Sequence, residues 1–405
     1  MGRNRFVTLC LALMAAAMAS PAQAQGARCH NGASFERWLA AFSQEAVSQG
    51  ISRATLAAAS PYLTFDPSIV RKDRGQGVFQ QSFLEFAGRM AGSRVGSASA
   101  QLKRHAGTLA RVEQQFGVPG AVIVAFWALE TDYGVNNGTL PVLRSVVTLA
   151  YDCRRPAMFR EELLYALRVI DRGDLTPATM VGAWAGEIGQ TQFSPSAYFK
   201  YAVDFDGDGR RDLIHSVPDV LASSANLLAK GGGWRRGEPW LQEVRVPPNL
   251  PWDQADLAIK HPRTQWARWG VTQANGAPLP ADNLPASLVL PSGRFGPAFL
   301  AFKNFDAFLE WNQSLVYATT AAYLATRLTG APQVYRGNAP APTLSGQQIQ
   351  ELQQLLTRHG HDVGKVDGKL GLATRKGVKA AQLKFGLPAD SYPTAELIAR
   401  LQAVR

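Results

Sequence analysis

The sequence predicts a mainly α protein (class α+β) with a small β insertion and a separate small module of three helices at its C-terminal end. Three observations carry this prediction. Apolar residues recur at helical spacing through most of residues 35–330, the texture between 240 and 300 shifts to short β-like runs, and GAPQVYRGNAPAPT (330–343) has no periodicity. In chain order, FERWLAAFSQEAV and VFQQSFLEFAGRM show heptad-like spacing within 35–115, with SPYLTFDPS (60–68) as the turn between them. AVIVAFWALETDYG (121–134) follows Val118-Pro119, a proline suited to a first helical turn, and stops at Gly134. Helices at 158–171 and through 221–230 come next, and GGGW breaks the pattern after them. EVRV and SLVLP-SGRFG-PAFLAF then read as short strands around a glycine-containing turn, before FDAFLEWNQSLVYATTAAYLATRL (305–328) returns to helix. Residues 331–343 read as a linker, and 344–405, with a net charge of +4, as a module of its own.

With 405 residues, 46% of them apolar and 9% aromatic, the chain can hold two or three globular domains. Its start reads as an export signal over residues 1–24: Arg3 and Arg5, an apolar run from Phe6 to Met18, then Ala22-Gln23-Ala24 as a cleavage site, which makes Gln25 the first mature residue. That run is too short to span a bilayer and no later apolar run is long enough either, so a soluble periplasmic chain without stable membrane insertion is expected. Neither Cys10 nor Cys29 has the small-residue surroundings of a lipid-attachment site. Cleavage leaves Cys29 and Cys153, an even pair in an oxidising compartment, and a disulfide between them is expected over two buried thiols. Losing Arg3 and Arg5 lowers the formal charge from +11 to +9, which suits an anionic polymer as partner. Nucleic acid is not the expected polymer, because export argues against it and no Lys/Arg cluster interleaved with stacking aromatics appears.

Glu130 follows nine consecutive apolar residues. On a helix, Ile123, Trp127 and Glu130 fall at i, i+4 and i+7, so this carboxylate continues an apolar stripe and must be paired, neutralised or used. An apolar shell destabilises the anion and raises the pKa, which is what a general acid needs near neutral pH. A second constellation is DFDGDGRRDLIH (204–215). It has Asp204, Asp206, Asp208, Gly209 and Asp212 at positions 1, 3, 5, 6 and 9 of an EF-hand-like loop, with Arg210 supplying its carbonyl. His215 stands at the twelfth position in place of the usual bidentate Glu. A structural calcium is the expectation, with sodium or no metal as the alternatives.

FWALETDYG (126–134), LPVLRSVVTLAYDCRR (140–155), GAWAGEIGQTQFSPSAYFKYAVDFDGDGRRDL (182–213) and WNQSLVYA (311–318) together resemble the lytic murein transglycosylase B family. The resemblance implies a lysozyme-like catalytic domain over 25–330 that cleaves the β-1,4 bond between N-acetylmuramic acid and N-acetylglucosamine. It places the single catalytic carboxylate at Glu130, makes the muramic acid's own 6-hydroxyl the nucleophile, and so implies a 1,6-anhydro product without any cofactor in the chemistry. It also implies Gln192, Phe193, Tyr201 and Asn312 as groove residues, and Asp219 as a further ligand closing a longer cation loop. Ala183 and Trp311 depart from the serine and tyrosine of the family pattern, and Glu187 from a small residue; Asp132 and Glu187 stay open as second carboxylates. A hydrolytic muramidase and a non-catalytic wall-binding scaffold are the alternatives.

LQQLLTRHG (352–360), VDGKLGLATRKGV (366–378) and AAQLKFGL (380–387) resemble the peptidoglycan-binding module found at the ends of many cell-wall enzymes. In that pattern Asp367-Gly368 and Gly371 shape the turn, Thr374-Arg375 open the next helix and Gln382 lies in its interior. The implied partner is peptidoglycan, with the protein acting as a monomer. A tail set apart by a linker predicts that turnover of soluble glycan survives deletion of 331–405.

Overall fold

The computed structural model describes residues 30, 32–75, 81–337 and 343–404. The expected export signal, Cys29 and residues 338–342 of the expected linker lie outside them. From Phe35 to Phe116 the helical reading resolves into short helices, because most starts carry their own cap. Ser34 accepts from the Arg37 amide and Ser52 from that of Thr55, Asp66 caps a helix opening on Pro67, and Ser82 forms a reciprocal capping box with Glu85. The last two, Val95–Arg104 and Ala106–Phe116, pack with Val217–Asn226 against the helix Gly120–Thr131, in which Gly120 through Leu129 are all buried. It is enclosed on every side, so its apolar residues form no single stripe. The helix Leu315–Leu328 packs along it.

The expected single helix over 305–328 is two, Phe305–Trp311 and Leu315–Leu328. Asn312 is extended and its Oδ1 accepts from the Ser314 amide at 2.9 Å, while Ser314 caps the second helix through the Tyr317 amide. Asn and Ser here offer the backbone local side-chain bonds in place of helical ones. The break puts Trp311 and Tyr317 on separate helices that converge on one point.

Strands β1 (Leu140–Pro141) and β2 (Val181–Gly182) form a two-stranded ribbon. The inserted sheet comprises β3 (Leu241–Arg245), β4 (His261–Pro262), β5 (Thr272–Gln273), β6 (Pro285–Val289) and β7 (Ala298–Ala301), antiparallel in the order β4-β6-β7-β3-β5. Leu288 faces Leu300 across β6 and β7, and Val244 faces Ala298 across β3 and β7. Side chains alternate across β7: Phe299 and Ala301 join the helical core, where Phe299 meets Phe83 edge-on at 5.6 Å, whereas Ala298 and Leu300 join a second core around Trp266. Both faces are covered, and the sheet binds the insertion to the body.

The tail folds as three helices, Gly346–Arg358, Leu372–Lys384 and Ala395–Ala403, around Leu352, Leu356, Val378 and Leu397. It is docked on the insertion. Arg375, buried, donates to the carbonyls of Pro291 at 2.9 Å and Leu290 at 3.4 Å; Lys379 pairs with Asp256 at 2.9 Å, and Asp390 accepts the Arg294 amide at 3.0 Å. Burial lowers the Arg375 pKa to about 10. The segment leading to the tail is irregular, as its composition indicates, yet not free. Val334 is buried, the Tyr335 amide donates to Glu243 at 2.7 Å, and Gly337 (φ 84°) lies so close to the Phe295 carbonyl that a Cβ would sit 2.2 Å from its oxygen. Among the described residues no single helix is long and apolar enough to cross a membrane.

Candidate active site

The helix Gly120–Thr131 delivers Glu130 and then ends abruptly, because Asp132 (φ 51°), Tyr133 (φ 64°) and Gly134 (φ 88°) are successively left-handed. Tertiary bonds hold this strained exit in place. Arg94 grips both Asp132 oxygens at 2.7 and 3.0 Å and also reaches the Ala128 carbonyl. Thr131 Oγ1 donates to the Gln190 carbonyl at 2.5 Å and accepts the Gly134 amide at 2.9 Å. Gln190 accepts from Trp127 Nε1 and donates to the Ile214 carbonyl, each at 2.9 Å. Gly134 is required by space as well as by φ, since a Cβ there would lie 2.7 Å from the Gln190 side chain. The end of the helix and the loop 182–193 are thus one unit.

Glu130 Oε1 receives the Trp311 Nε1–H at 2.9 Å and the Tyr317 hydroxyl. Trp311 is held by Phe126, stacked at 4.1 Å, and by Phe193 edge-on at 5.8 Å. Burial raises the Glu130 pKa; the two donors oppose this, and the charge of Glu187 adds to it. Both donors sit on Oε1, which leaves Oε2 to carry a transferable proton. Such an arrangement can serve general acid chemistry. Its sign has a consequence for stability. A carboxyl whose pKa is raised by folding contributes stability that is fully present below its unfolded pKa and is lost as pH rises through the folded value. Glu130→Gln, neutral throughout, is therefore expected to melt at or above wild type near pH ~8, with the gap closing toward pH ~4. A gap independent of pH in thermal melts contradicts the raised pKa.

The two donors to this carboxyl line two different cavities. One, of about 370 Å³, is lined by Glu187, Gln192, Phe193, Tyr201 and Trp311; the other, of about 590 Å³, by Asn312, Tyr317 and Phe86 from the body and by Leu344, Leu370 and Tyr392 from the tail. Three of the four expected groove residues therefore share a cavity, and Asn312 faces the other. Gln192 takes a left-handed φ of 54°, and its Nε2 donates to the carbonyls of Gly189 and Asn137. Tyr201 packs its ring on Gly231, where a Cβ would stand 3.2 Å from it. Asp132 is committed to Arg94 and is not a free second carboxylate. In the sequence Trp311 shows only as a departure from the family pattern, and Tyr317 does not stand out. The motif WNQSLVYA contains both, but nothing in its periodicity reports that the chain breaks between them.

Of the expected cation ligands, Asp204, Asp206 and Asp219 converge, with one carboxylate oxygen from each within 4.8 Å of the others. Asp208 turns to Arg210 at 3.6 Å, and Asp212 caps its own turn through the amides of Ile214 and His215, both at 2.9 Å, and the His215 ring. Burial and the charge of Asp206 push the Asp219 carboxyl up, which a bound cation would relieve. The donor set is all oxygen and fits a hard cation such as calcium. Cys153 is disulfide-bonded, and its expected partner Cys29 is outside the described residues.

The helical body and its helix-end carboxyl are those of a lysozyme-like protein. The chain belongs to the transglycosylase SLT domain family, which it matches over residues 34–326, and residues 345–401 match a peptidoglycan binding domain. It is 33% identical over 214 residues to membrane-bound lytic murein transglycosylase B of Escherichia coli (strain K12), a match over 52% of this chain and only 57% of that relative. It is similar to the crystal structure of SltB3 from Pseudomonas aeruginosa in complex with NAG-anhNAM-pentapeptide, with a TM-score of 0.84 and 42% identity over 92% of this chain and 100% of that one. The Escherichia coli lytic transglycosylase Slt35 in complex with calcium has a TM-score of 0.60 and 28% identity, covering 71% of this chain and 91% of that one.

Proposed function

We propose that the chain is a periplasmic lytic transglycosylase that cleaves the β-1,4 bond between N-acetylmuramic acid and N-acetylglucosamine and leaves a 1,6-anhydromuramic acid end. The observation that carries this reading is Glu130, held through one oxygen by Trp311 and Tyr317, each of which lines a cavity. Glu130 protonates the glycosidic oxygen, the bond to the muramic C1 breaks, and the glucosamine leaves with a free 4-hydroxyl. The carboxylate then takes the proton of the muramic 6-hydroxyl as that oxygen bonds to C1. Atoms balance without water, so one carboxylate suffices where hydrolysing glycosidases use two. Binding of a saccharide–peptide by SltB3 supports the substrate class. Wild-type protein incubated with purified peptidoglycan is expected to release soluble fragments; intact sacculi after exhaustive incubation would overturn the reading.

The cation at Asp204, Asp206 and Asp219 is structural in this reading, and calcium is its identity, supported by the calcium complex of Slt35. Calcium at a hundredfold excess over its dissociation constant should stabilise the fold by roughly 2.7 kcal/mol, read as a raised melting temperature. Asp219→Asn should remove that response. A chelator that leaves the wild-type melt unmoved counts against the ion.

A further inference from the structure

Buried carboxyls of this body are saturated with donors. Asp73 is bonded by Arg154 and Arg155, and Asp174 by Arg172 and Arg211. Glu162 accepts the amide and hydroxyl of Ser196 at 2.9 and 2.8 Å, and Asp219 the amides of Phe205 and Asp212 at 2.7 and 2.9 Å. Glu187 is the exception: among the described residues it is the carboxyl whose oxygen, Oε2, is both closed off from water and without a partner. Leaving such an oxygen unmet is costly, and the backbone shows that the position is built. Gly186 takes a φ of 96°, the Ala183 amide donates to the Glu187 carbonyl at 2.8 Å, and Ile188 exchanges two backbone bonds with Phe193 at 2.7 and 2.9 Å. Gly182 passes so near that a Cβ would stand 2.0 Å from the Glu187 carbonyl oxygen. A rigid ribbon thus holds Glu187 on the cavity of Gln192, Phe193, Tyr201 and Trp311, with the Glu187 and Ala185 amides against its carboxyl and Oε2 left without a partner.

We infer that Glu187 is a substrate-binding carboxyl of this cavity, turning its unmet oxygen to an O–H or N–H donor of an N-acetylated sugar seated against Phe193 and Trp311. The inference rests on the saccharide reading above and adds to it a specificity contact, not a second acid or base. Charge around the group is mixed: Arg155 opposes the effect of burial on its carboxyl, Glu162 reinforces it, Lys200 and Glu310 line the same cavity, and its own charge raises the proton affinity of Glu130.

The test is steady-state kinetics on a soluble glucosamine–muramic acid–peptide oligomer with Glu187→Ala and Glu187→Gln, each with a thermal melt. Glu187→Ala should raise KM about tenfold and leave kcat within about threefold, and Glu187→Gln, which keeps an acceptor oxygen, should raise KM less. In both variants the alkaline limb of kcat should move to lower pH, since Glu130 loses a neighbouring charge. Both should melt at or above the wild-type temperature, because an unmet buried carboxyl is removed. An unchanged KM in both variants, or a lowered melt with unchanged kinetics, overturns the inference. An active Glu130→Gln would instead sink the reading of the site, so the two failures are distinguishable.

Discussion

Glu130→Gln is expected to lose activity on peptidoglycan by about 10²- to 10⁴-fold or more, since the amide fits the same space but cannot deliver a proton and one group serves both steps. The amide oxygen still accepts from Trp311 and Tyr317, so the fold and the binding of sacculi should persist. Fragment release measured beside a pelleting assay checks both halves. Loss of activity together with loss of fold would show only that the position is structural, and the pH-dependent melt described above guards against that confusion. Tyr317 and Trp311 contribute in a different way. They fix one oxygen and oppose the rise that burial imposes, so the proton is held by balance and not by burial alone.

The second large effect is expected at Arg375. Arg375→Ala removes a buried guanidinium and strands the carbonyls of Leu290 and Pro291, at roughly 2–4 kcal/mol. The full-length variant should show an earlier melting transition and faster proteolytic separation of tail from body. Because Leu344, Leu370 and Tyr392 of the tail line the cavity beside Tyr317, turnover of soluble glycan should fall as well. This differs from the expectation, drawn from the linker and from the tail's separable motifs and charge, that the tail is dispensable for soluble substrate. Unchanged melting and unchanged soluble turnover would restore that simpler picture.

The parts of the fold legible in the sequence are those written in short-range patterns. The enclosed helix announces itself by its unbroken apolar run, the longer strands of the insertion by short runs around a glycine-containing turn, and the tail by its turn glycines. Strands His261–Pro262 and Thr272–Gln273 were not legible, since two residues carry no period and proline argues against a strand. The site shows the same division. Glu130 stood out as a charge among apolar residues, whereas its partners lie 181 and 187 residues away and depend on a helix break that Asn312 and Ser314 make with local hydrogen bonds. In the cation loop the sequence marks which residues are acidic but not where they point. Asp219 enters the cluster because Ser216 starts a helix whose first turn turns back on the loop, while Asp208 and Asp212 find partners closer by. Arg375 looked like an ordinary polar residue opening a helix, because its acceptors belong to another domain.

The bond at C1 is expected to be closed by the substrate's own hydroxyl and not by water. The most direct measurement of this closure is mass spectrometry of the initial products formed in isotopically labelled water. Products ending in 1,6-anhydromuramic acid, one water lighter than hydrolysis products and free of label, are the predicted result, since the 6-hydroxyl is held on the reacting sugar while water must be recruited. Reducing-end muramic acid carrying the label would overturn the intramolecular closure and assign the protein to the muramidases.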